Sequence, residues 1–455
     1  MSIVDRSFKF NNMIRVAAIA VIAVLAGNQA GAQASYTLKE CIEYGMANHP
    51  SLNVARNNVA NAKQASVEAV AGYLPQVNVN GDFTNNLKLQ TNIIPAGAFS
   101  PTETRVAFGN KYASTVTAQA EQAIYNQALI TGLKANKPNR EIAVLNEAQT
   151  KQTIIYNIAS SYYQVITIQK QLELLNGNKE RIEKLLKISQ LQAEAGVAKK
   201  VDVKQVQVNL NNVLAQISVA ESNLEYAYNS LKNSMGLFND EEVQLSDTAR
   251  WLNYTPQITH IPDFRFKNTI DYQLQERQIQ LYDLNAKSIR AGALPTLSAF
   301  ARYGANGFGG DVEKVFNRQF DYSAIGLKLT WNLFSGFRRN AQYHQAIFQR
   351  DNAKLNLAIN TAQLNLQYQN AVTSFNQAKS TLGTNKENVD LAIQVYENTS
   401  LQYKEGVGTL SDLLNAESAY RDAQNNYIQS LISYYLAQLD VERTNSTLED
   451  YYSKL

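Results

Sequence analysis

One sequence pattern is written twice in this chain, 210 residues apart, and this duplication limits the folds open to it more than any other feature. Residues 194–203 read EAGVAKKVDV and residues 405–414 read EGVGTLSDLL, so Gly196, Val197 and Asp202 recur as Gly406, Val407 and Asp412. Upstream, AGYLPQVNVNGDF at 71–83 recurs as AGALPTLSAFARY at 291–303. After the first Gly-Val, Val206, Leu210, Val213, Ile217, Ala220, Leu224, Ala227 and Leu231 keep an unbroken 4-3 spacing. After the second, Ala416, Tyr420, Ala423, Tyr427, Ser430, Tyr434, Ala437 and Val441 keep it again, alternating small residues with Tyr. Such a seam is buried only against partner helices, by knobs-into-holes packing. At heptad spacing the Tyr row reads as helix packing and not as a ligand track.

The segments before each Gly-Val are helical too. Ile154, Ile158, Val165, Ile168, Leu172 and Leu175 hold the heptad in one half, and Leu364, Tyr368, Ala371, Phe375, Ala378 and Leu382 in the other. Each half therefore predicts a helical hairpin bent at Gly196 or Gly406. Glycine supplies the positive φ that ends a helix, and an Asp soon after favours starting the next. The first arms, 128–196 and 337–406, would each be roughly 100 Å long at 1.5 Å per residue. Two further helical pieces are expected at 37–71 and 266–291. The chain divides into a first repeat at 35–236, a linker at 237–264 holding Trp251, Pro256 and Pro262, and a second repeat at 265–455.

Between the helices the period changes from 3.5 to two. Ile325, Leu327, Leu329, Trp331 and Leu333 alternate with polar or small residues, as do Val77, Val79 and Phe83. Val116, Ala118 and Ala120 form a third set, and Leu297, Ala299, Ala301 and Tyr303 a weaker fourth in which Phe300 falls off the pattern. Strands are expected near 74–90, 110–126, 294–304 and 320–335. The segments between them, 89–110 and the Gly-rich 304–319, are expected to be loops, the second a flexible external one. GANGFGG lacks the Lys-Ser/Thr and following helix of a phosphate cradle.

Alternation of this kind suits a soluble sheet or a barrel in lipid, and the N-terminus tips the balance. Arg6, Lys9 and Arg15 precede the apolar run Val16–Ala26, followed by Ala30-Gly31-Ala32 and Ala32-Gln33-Ala34. This is the layout of a secretory signal peptide over 1–34, since the run is far short of the roughly 20 residues a helical span needs. The lone Cys41 forms no internal disulfide, so packing must hold the exported fold. Four strands cannot close in a membrane, and open edges in hydrocarbon cost several kcal/mol per unpaired group. A barrel built from them must be shared among chains.

CIEYGMANHPSL near the N-terminus, the Leu-Pro before each first strand, LTWNLFSGFRRNA after the last strand and the two GV…D turns, in this order, resemble the TolC family of outer-membrane efflux ducts over essentially the whole mature chain. The expected class is mostly α with a transmembrane β part. The resemblance implies a homotrimer with a shared 12-stranded β-barrel, four strands per chain, above a long α-helical coiled-coil tunnel through the periplasm. It makes Gly196, Val197, Gly406 and Val407 the tips that meet a periplasmic adaptor, or membrane fusion protein, coupled to an inner-membrane pump of RND or ABC type. It also implies a gate containing Tyr403, Asp202 and a pore-facing ring of Asp412. Gly408 stands where the family carries an Arg, so a gate held by packing, Asp202 and Tyr403 is expected. The residues themselves leave open a role in capping helix starts for Asp202 and Asp412.

Other classes find less support. His49, His260 and His344 lie in unrelated segments, with no HExxH, GxSxG or Cys-His signal, so no enzyme, cofactor or metal is expected. A formal charge of +3 with 18% charged residues does not point to nucleic acid. The alternative to an outer-membrane duct is an exported coiled-coil scaffold or adhesin with a soluble β cap. The cargo, whether drug, metal ion or polypeptide, is not encoded in these patterns.

Overall fold

The structure, a computed structural model, describes residues 35–94, 97, 101–238, 243–248, 251 and 263–454. The signal peptide, and most of the linker with Pro256, His260 and Pro262, lie outside the described residues. The chain forms two compact units: one holds residues up to Asn53, Gln149–Thr269 and residues from Leu364 on, the other Val54–Ala148 and Ile270–Gln363.

The first unit is helical. It contains α1 (Leu38–Asn48), α4 (Asn136–Glu194) from Gln149 onward, α5 (Lys200–Met235), α8 (Arg338–Lys404) from Leu364 onward, α9 (Leu410–Thr444) and α10 (Leu448–Ser453). A small parallel pair joins β1 (Ser35–Tyr36) to β6 (Gln244–Leu245). On α5, Val206, Leu210, Val213, Ile217, Ala220, Ala227 and Leu231 are buried, which is the predicted seam with Leu224 half-covered. On the opposite side of α5, Val201, Val208, Val219 and Tyr226 are exposed.

The buried face of α9 is wider. Beside Ala416, Tyr420, Ser430, Tyr434, Ala437 and Val441, a second stripe of Leu413, Glu417, Gln424, Ile428, Leu431, Tyr435 and Leu439 is buried. A stripe of this width is what a helix needs when neighbours pack on more than one side. The core centres on Tyr163 and Tyr435, stacked 4.3 Å apart at 7°, with Trp251 edge-on to Tyr163 at 5.3 Å. The polar ends of the rings are satisfied: Tyr435 donates to the Trp251 carbonyl, and Trp251 Nε1 and Tyr162 donate to Asp247. Burial, with Asp247 nearby, pushes the Cys41 thiol far above its usual range.

The second unit carries the sheet: β2 (Gln76–Asn85), β5 (Tyr112–Tyr125), β7 (Thr296–Gly309) and β8 (Gln319–Thr330), antiparallel in the order β2-β5-β7-β8. Between β2 and β5 a small hairpin pairs β3 (Thr91–Ile94) with β4 (Thr104–Ala107). Also in this unit are α2 (Pro50–Ala71) from Val54 onward, α3 (Gln127–Leu133), α6 (Ile270–Ala291) and α7 (Val312–Asn317). Among the described residues no helix is long and apolar enough to cross a membrane.

Register sorts the two faces of the sheet. Val77, Ala120, Ala301 and Ile325 form one row, and Val79, Ala118 and Tyr303 the next, on the same face as Val116, Leu327 and Leu329. This apolar face is open: Ile325 is 87% exposed, and Val77, Val79, Leu327 and Leu329 are exposed with it. The other face carries Asn78, Asn80, Thr117, Gln119, Glu121, Arg302 and Lys328. Phe300, off-pattern in sequence, lies on this polar face directly opposite Gly326, where a Cβ would meet its ring at 2.9 Å. Aromatic cover of a strand glycine restores packing that the missing side chain forfeits.

Several expectations need correction. The Gly-rich segment is no loop: β7 runs to Gly309, and after α7 the chain enters β8 at Gln319. The glycines serve close approach, since a Cβ at Gly304 would lie 2.7 Å from the Val116 carbonyl and 2.8 Å from the Tyr322 ring. The helix expected at 37–71 is divided, because Pro50 disfavours the helical region for His49, which sits at ψ 125°. The first arm of the first hairpin is interrupted at Lys134–Ala135; Pro138 follows in the first turn of α4, where a missing N–H is tolerated. β8 also ends at Thr330, short of the expected 335.

Replacing Tyr435 by Ala removes one member of the central stack and leaves a cavity. A loss of about 3–5 kcal/mol is expected for deletion of a buried aromatic ring, read as a lowered thermal midpoint of the detergent-solubilised protein.

Candidate docking tips and gate

The two duplicated turns fold alike because their residues impose the same termination. At the first, Gly196 takes φ 75°, and the Val197 and Ala198 N–H groups both reach the Gln192 carbonyl, at 2.9 and 3.2 Å. At the second, Gly406 takes φ 73°, and Val407 and Gly408 donate to the Gln402 carbonyl, each at 3.0 Å. A left-handed residue at this position closes the end of a helix and costs a non-glycine residue about 1–2 kcal/mol. Val197 and Val407 project from the turns, each 80% exposed. An exposed Val at both tips offers apolar surface without demanding it of the chain's own core.

Asp202 and Asp412 occupy the third residue of α5 and α9, not the cap position. Asp202 accepts from the Lys199 backbone N–H at 3.3 Å. Thr409 is the cap of α9: its hydroxyl accepts from the Asp412 N–H at 3.1 Å and donates to the Asp412 carboxylate at 2.6 Å. The acidic charge at each helix start is favourable to the helix dipole. Tyr403 is buried, and its hydroxyl donates to Gln192 Oε1 at 2.9 Å and lies 3.4 Å from Ser189 Oγ. It therefore ties α8 to α4, one hairpin to the other, while the hydrogen bonds of Asp202 and Asp412 stay within their own turns.

A polar cluster in the same helical core was not among the expected site residues. Arg181 on α4 lies 5.1 Å over the Tyr420 ring and 5.7 Å over that of Tyr396, which are themselves stacked 6.1 Å apart. Cation–π contact of this kind is strengthened by desolvation. Arg181 also donates to Asn178. Glu417 on α9 is 3% exposed, and among the described residues its Oε1 and Arg181 Nε have no hydrogen-bond partner. Burial raises the Glu417 carboxyl above its usual range, outweighing the attraction of Arg421 and Arg181. The signal was present: Leu410, Glu417, Gln424 and Leu431 recur every seven residues, which places two polar side chains on a buried stripe. A groove of about 660 Å³ opens beside this cluster, bordered by Lys184, Lys187, Tyr396, Tyr403 and Lys404.

A carboxyl whose folded pKa is raised makes stability fall as pH rises from 4.5, its ordinary value, through the raised one. Glu417→Gln is expected to abolish that fall. The variant should melt above the parent at about pH 8 and with it at about pH 4, measured on the same detergent-solubilised material. A lower midpoint for the variant at every pH would show that the carboxylate is held by its arginines.

Comparison with known proteins agrees with this architecture. Residues 43–237 and 267–444 match the family model described as outer membrane efflux protein. The chain is 21% identical over 406 residues to the outer membrane protein TolC of Vibrio cholerae, covering 86% of this chain and 87% of that protein. It is 22% identical over 408 residues to TolC of Escherichia coli K12, covering 84% and 76%. Among solved structures, the outer membrane protein VceC of Vibrio cholerae superposes with a TM-score of 0.71 at 17% identity, over 90% of this chain and 96% of that one. The hairpin turns at Gly196 and Gly406 and strands β2, β5, β7 and β8 all fall within the matched segments, and the chain belongs to the outer membrane efflux protein family.

Proposed function

We propose that this protein works as a homotrimer, in which three chains close one barrel and the duplicated turns dock a partner in the periplasm. Membership of its family makes it an outer-membrane exit channel for efflux or secretion, extending into the periplasm, and not an enzyme. The observation that carries the trimer is the sheet itself. Its apolar face is largely exposed, and among the described residues β2 and β8 each keep one edge without a partner strand. In hydrocarbon those edges would cost several kcal/mol per backbone group, so β8 of one copy pairs with β2 of the next. The exposed row Val201, Val208, Val219 and Tyr226 on α5 then finds a helix of a neighbouring copy.

The passage contains no energy source of its own. The exposed tips at Val197 and Val407 meet the helical hairpins of an adaptor, which couples the duct to an inner-membrane pump. Tyr403 holds the two hairpins of each chain together near the tips. Asp412, exposed at the start of α9, contributes one carboxylate per chain to a ring at the entrance. An exported scaffold with a soluble β cap has no use for an apolar face whose Val77, Val79, Ile325, Leu327 and Leu329 stay exposed among the described residues.

Detergent-solubilised protein is expected to show the mass of three chains by light scattering and to conduct in planar bilayers. A stable monomer, or silent bilayers, would overturn the duct. Asp412→Ala channels should lose cation selectivity and block by multivalent cations. Unchanged selectivity and block would confine Asp412 to its bond with Thr409.

A further inference from the structure

The connection between β7 and β8 packs against the sheet, on the face that the duct reading turns towards lipid. Gly307 belongs to the apolar face, in one row with Phe83, Ser114 and Gln319. α7 sits over this row: Val315 is fully buried, and a Cβ on Gly307 would lie 1.9 Å from the Val315 carbonyl oxygen. Ser114, polar on an otherwise apolar face, is buried there as well. α7 thus covers a stretch of bare backbone and hydroxyl that acyl chains could not satisfy. In exchange it presents Phe316, 56% exposed, and Val312. Phe316 stacks on Phe83 at 5.9 Å and 12°, and Phe83 on Tyr112 at 6.0 Å and 18°. Lys111 lies 5.2 Å over the Tyr112 ring, and exposed Lys314 pairs with Asp311.

The height of this aromatic row fits a membrane boundary. From Leu329, beside Trp331, to Gln319 in the Phe83 row, β8 runs about 33 Å at 3.3 Å per residue. Tilted by about 40°, this spans about 25 Å, the height of the apolar band on outer-membrane barrels between aromatic girdles. Trp331, donating to the Ala293 carbonyl at 3.0 Å, marks one limit. Tyr112, Phe83 and Phe316 mark the other.

Resting on the reading of the sheet as a lipid-spanning wall, we propose that α7 is a membrane-seated anchor. Phe316 and Val312 lie at the boundary between acyl chains and headgroups in the external leaflet, completing a girdle that the strands alone leave unfinished. The continuity of Phe316 with Phe83 and the apolar rows below favours lipid as the occupant. The basic Lys111 and Lys314 stand on the headgroup side.

Nitroxide labels on single cysteines test this in the full-length channel reconstituted into phospholipid vesicles. Cys41 is fully buried and needs no replacement. Collisions with oxygen report lipid, and collisions with a water-soluble nickel chelate report solvent. Labels at Phe316→Cys and Val312→Cys should be several-fold more accessible to oxygen than to nickel. A label at Glu313→Cys should show the reverse. Adding Gly307→Val, which forces α7 off the sheet, should turn the Phe316→Cys label from oxygen-accessible to nickel-accessible. Nickel access at both Phe316→Cys and Val312→Cys in the parent would place α7 in water and overturn the anchor. Shielding of both labels from both reagents would place them under a neighbouring copy and overturn it equally. Ile325→Cys separates the two levels: if it too meets nickel, the lipid-facing wall fails, and if it meets oxygen while the α7 labels do not, the anchor alone fails.

Discussion

A backbone amide in hydrocarbon has no water to turn to, and the whole architecture follows from that. Among the described residues the sheet has four strands and two edges without a partner strand, and no side-chain device can satisfy a ladder of N–H and C=O groups. Closure through neighbouring copies is the remaining solution. It fixes the repetition of everything attached to the strands, including the helical hairpins. In the proposed barrel the polar face, with Asn78, Gln119, Arg302 and Lys328, would surround the aqueous space.

The helical unit solves a different problem. Its seams are apolar enough to hold two hairpins together in water, yet they include groups that oil would reject. Arg181 is accommodated by two aromatic faces, while burial raises the Glu417 carboxyl above its usual range. Tyr403 adds a hydrogen-bonded tie at Gln192 and Ser189. Gly408 follows the second turn, and the Arg181 guanidinium lies in the hairpin core.

Much of this architecture is legible in the order of the residues alone. Heptad spacing locates the buried face of α5 residue by residue, because a helix packed along one stripe buries one stripe. It underestimates α9, where Glu417 and Gln424 interrupt an otherwise apolar second row and so hide its existence. Alternation locates the four strands, since each presents one apolar side. It fails at Gly304–Gly309, where glycine suggests freedom although it marks backbone and side chains pressed too close for a Cβ. α7, a single short turn set between strands, carries too few residues to show a period. The gate residues stay ambiguous for a physical reason: an Asp three residues into a helix suits the dipole whether or not it also faces a pore.

The unequal faces of α5 and α9 bear on the symmetry of the assembled ring. The two halves of the chain share turn chemistry, so the proposed trimer would carry six nearly identical turns. Within one chain, α9 is packed on two sides, while α5 is packed on one and leaves Val201, Val208, Val219 and Tyr226 exposed for the neighbouring copy of the proposed trimer. Helices held within a chain and helices held between chains would therefore alternate in that trimer. In the proposed trimer a docking protein would meet a sixfold outline with threefold support, and loosening the contacts between copies would free the α5 members before the α9 members.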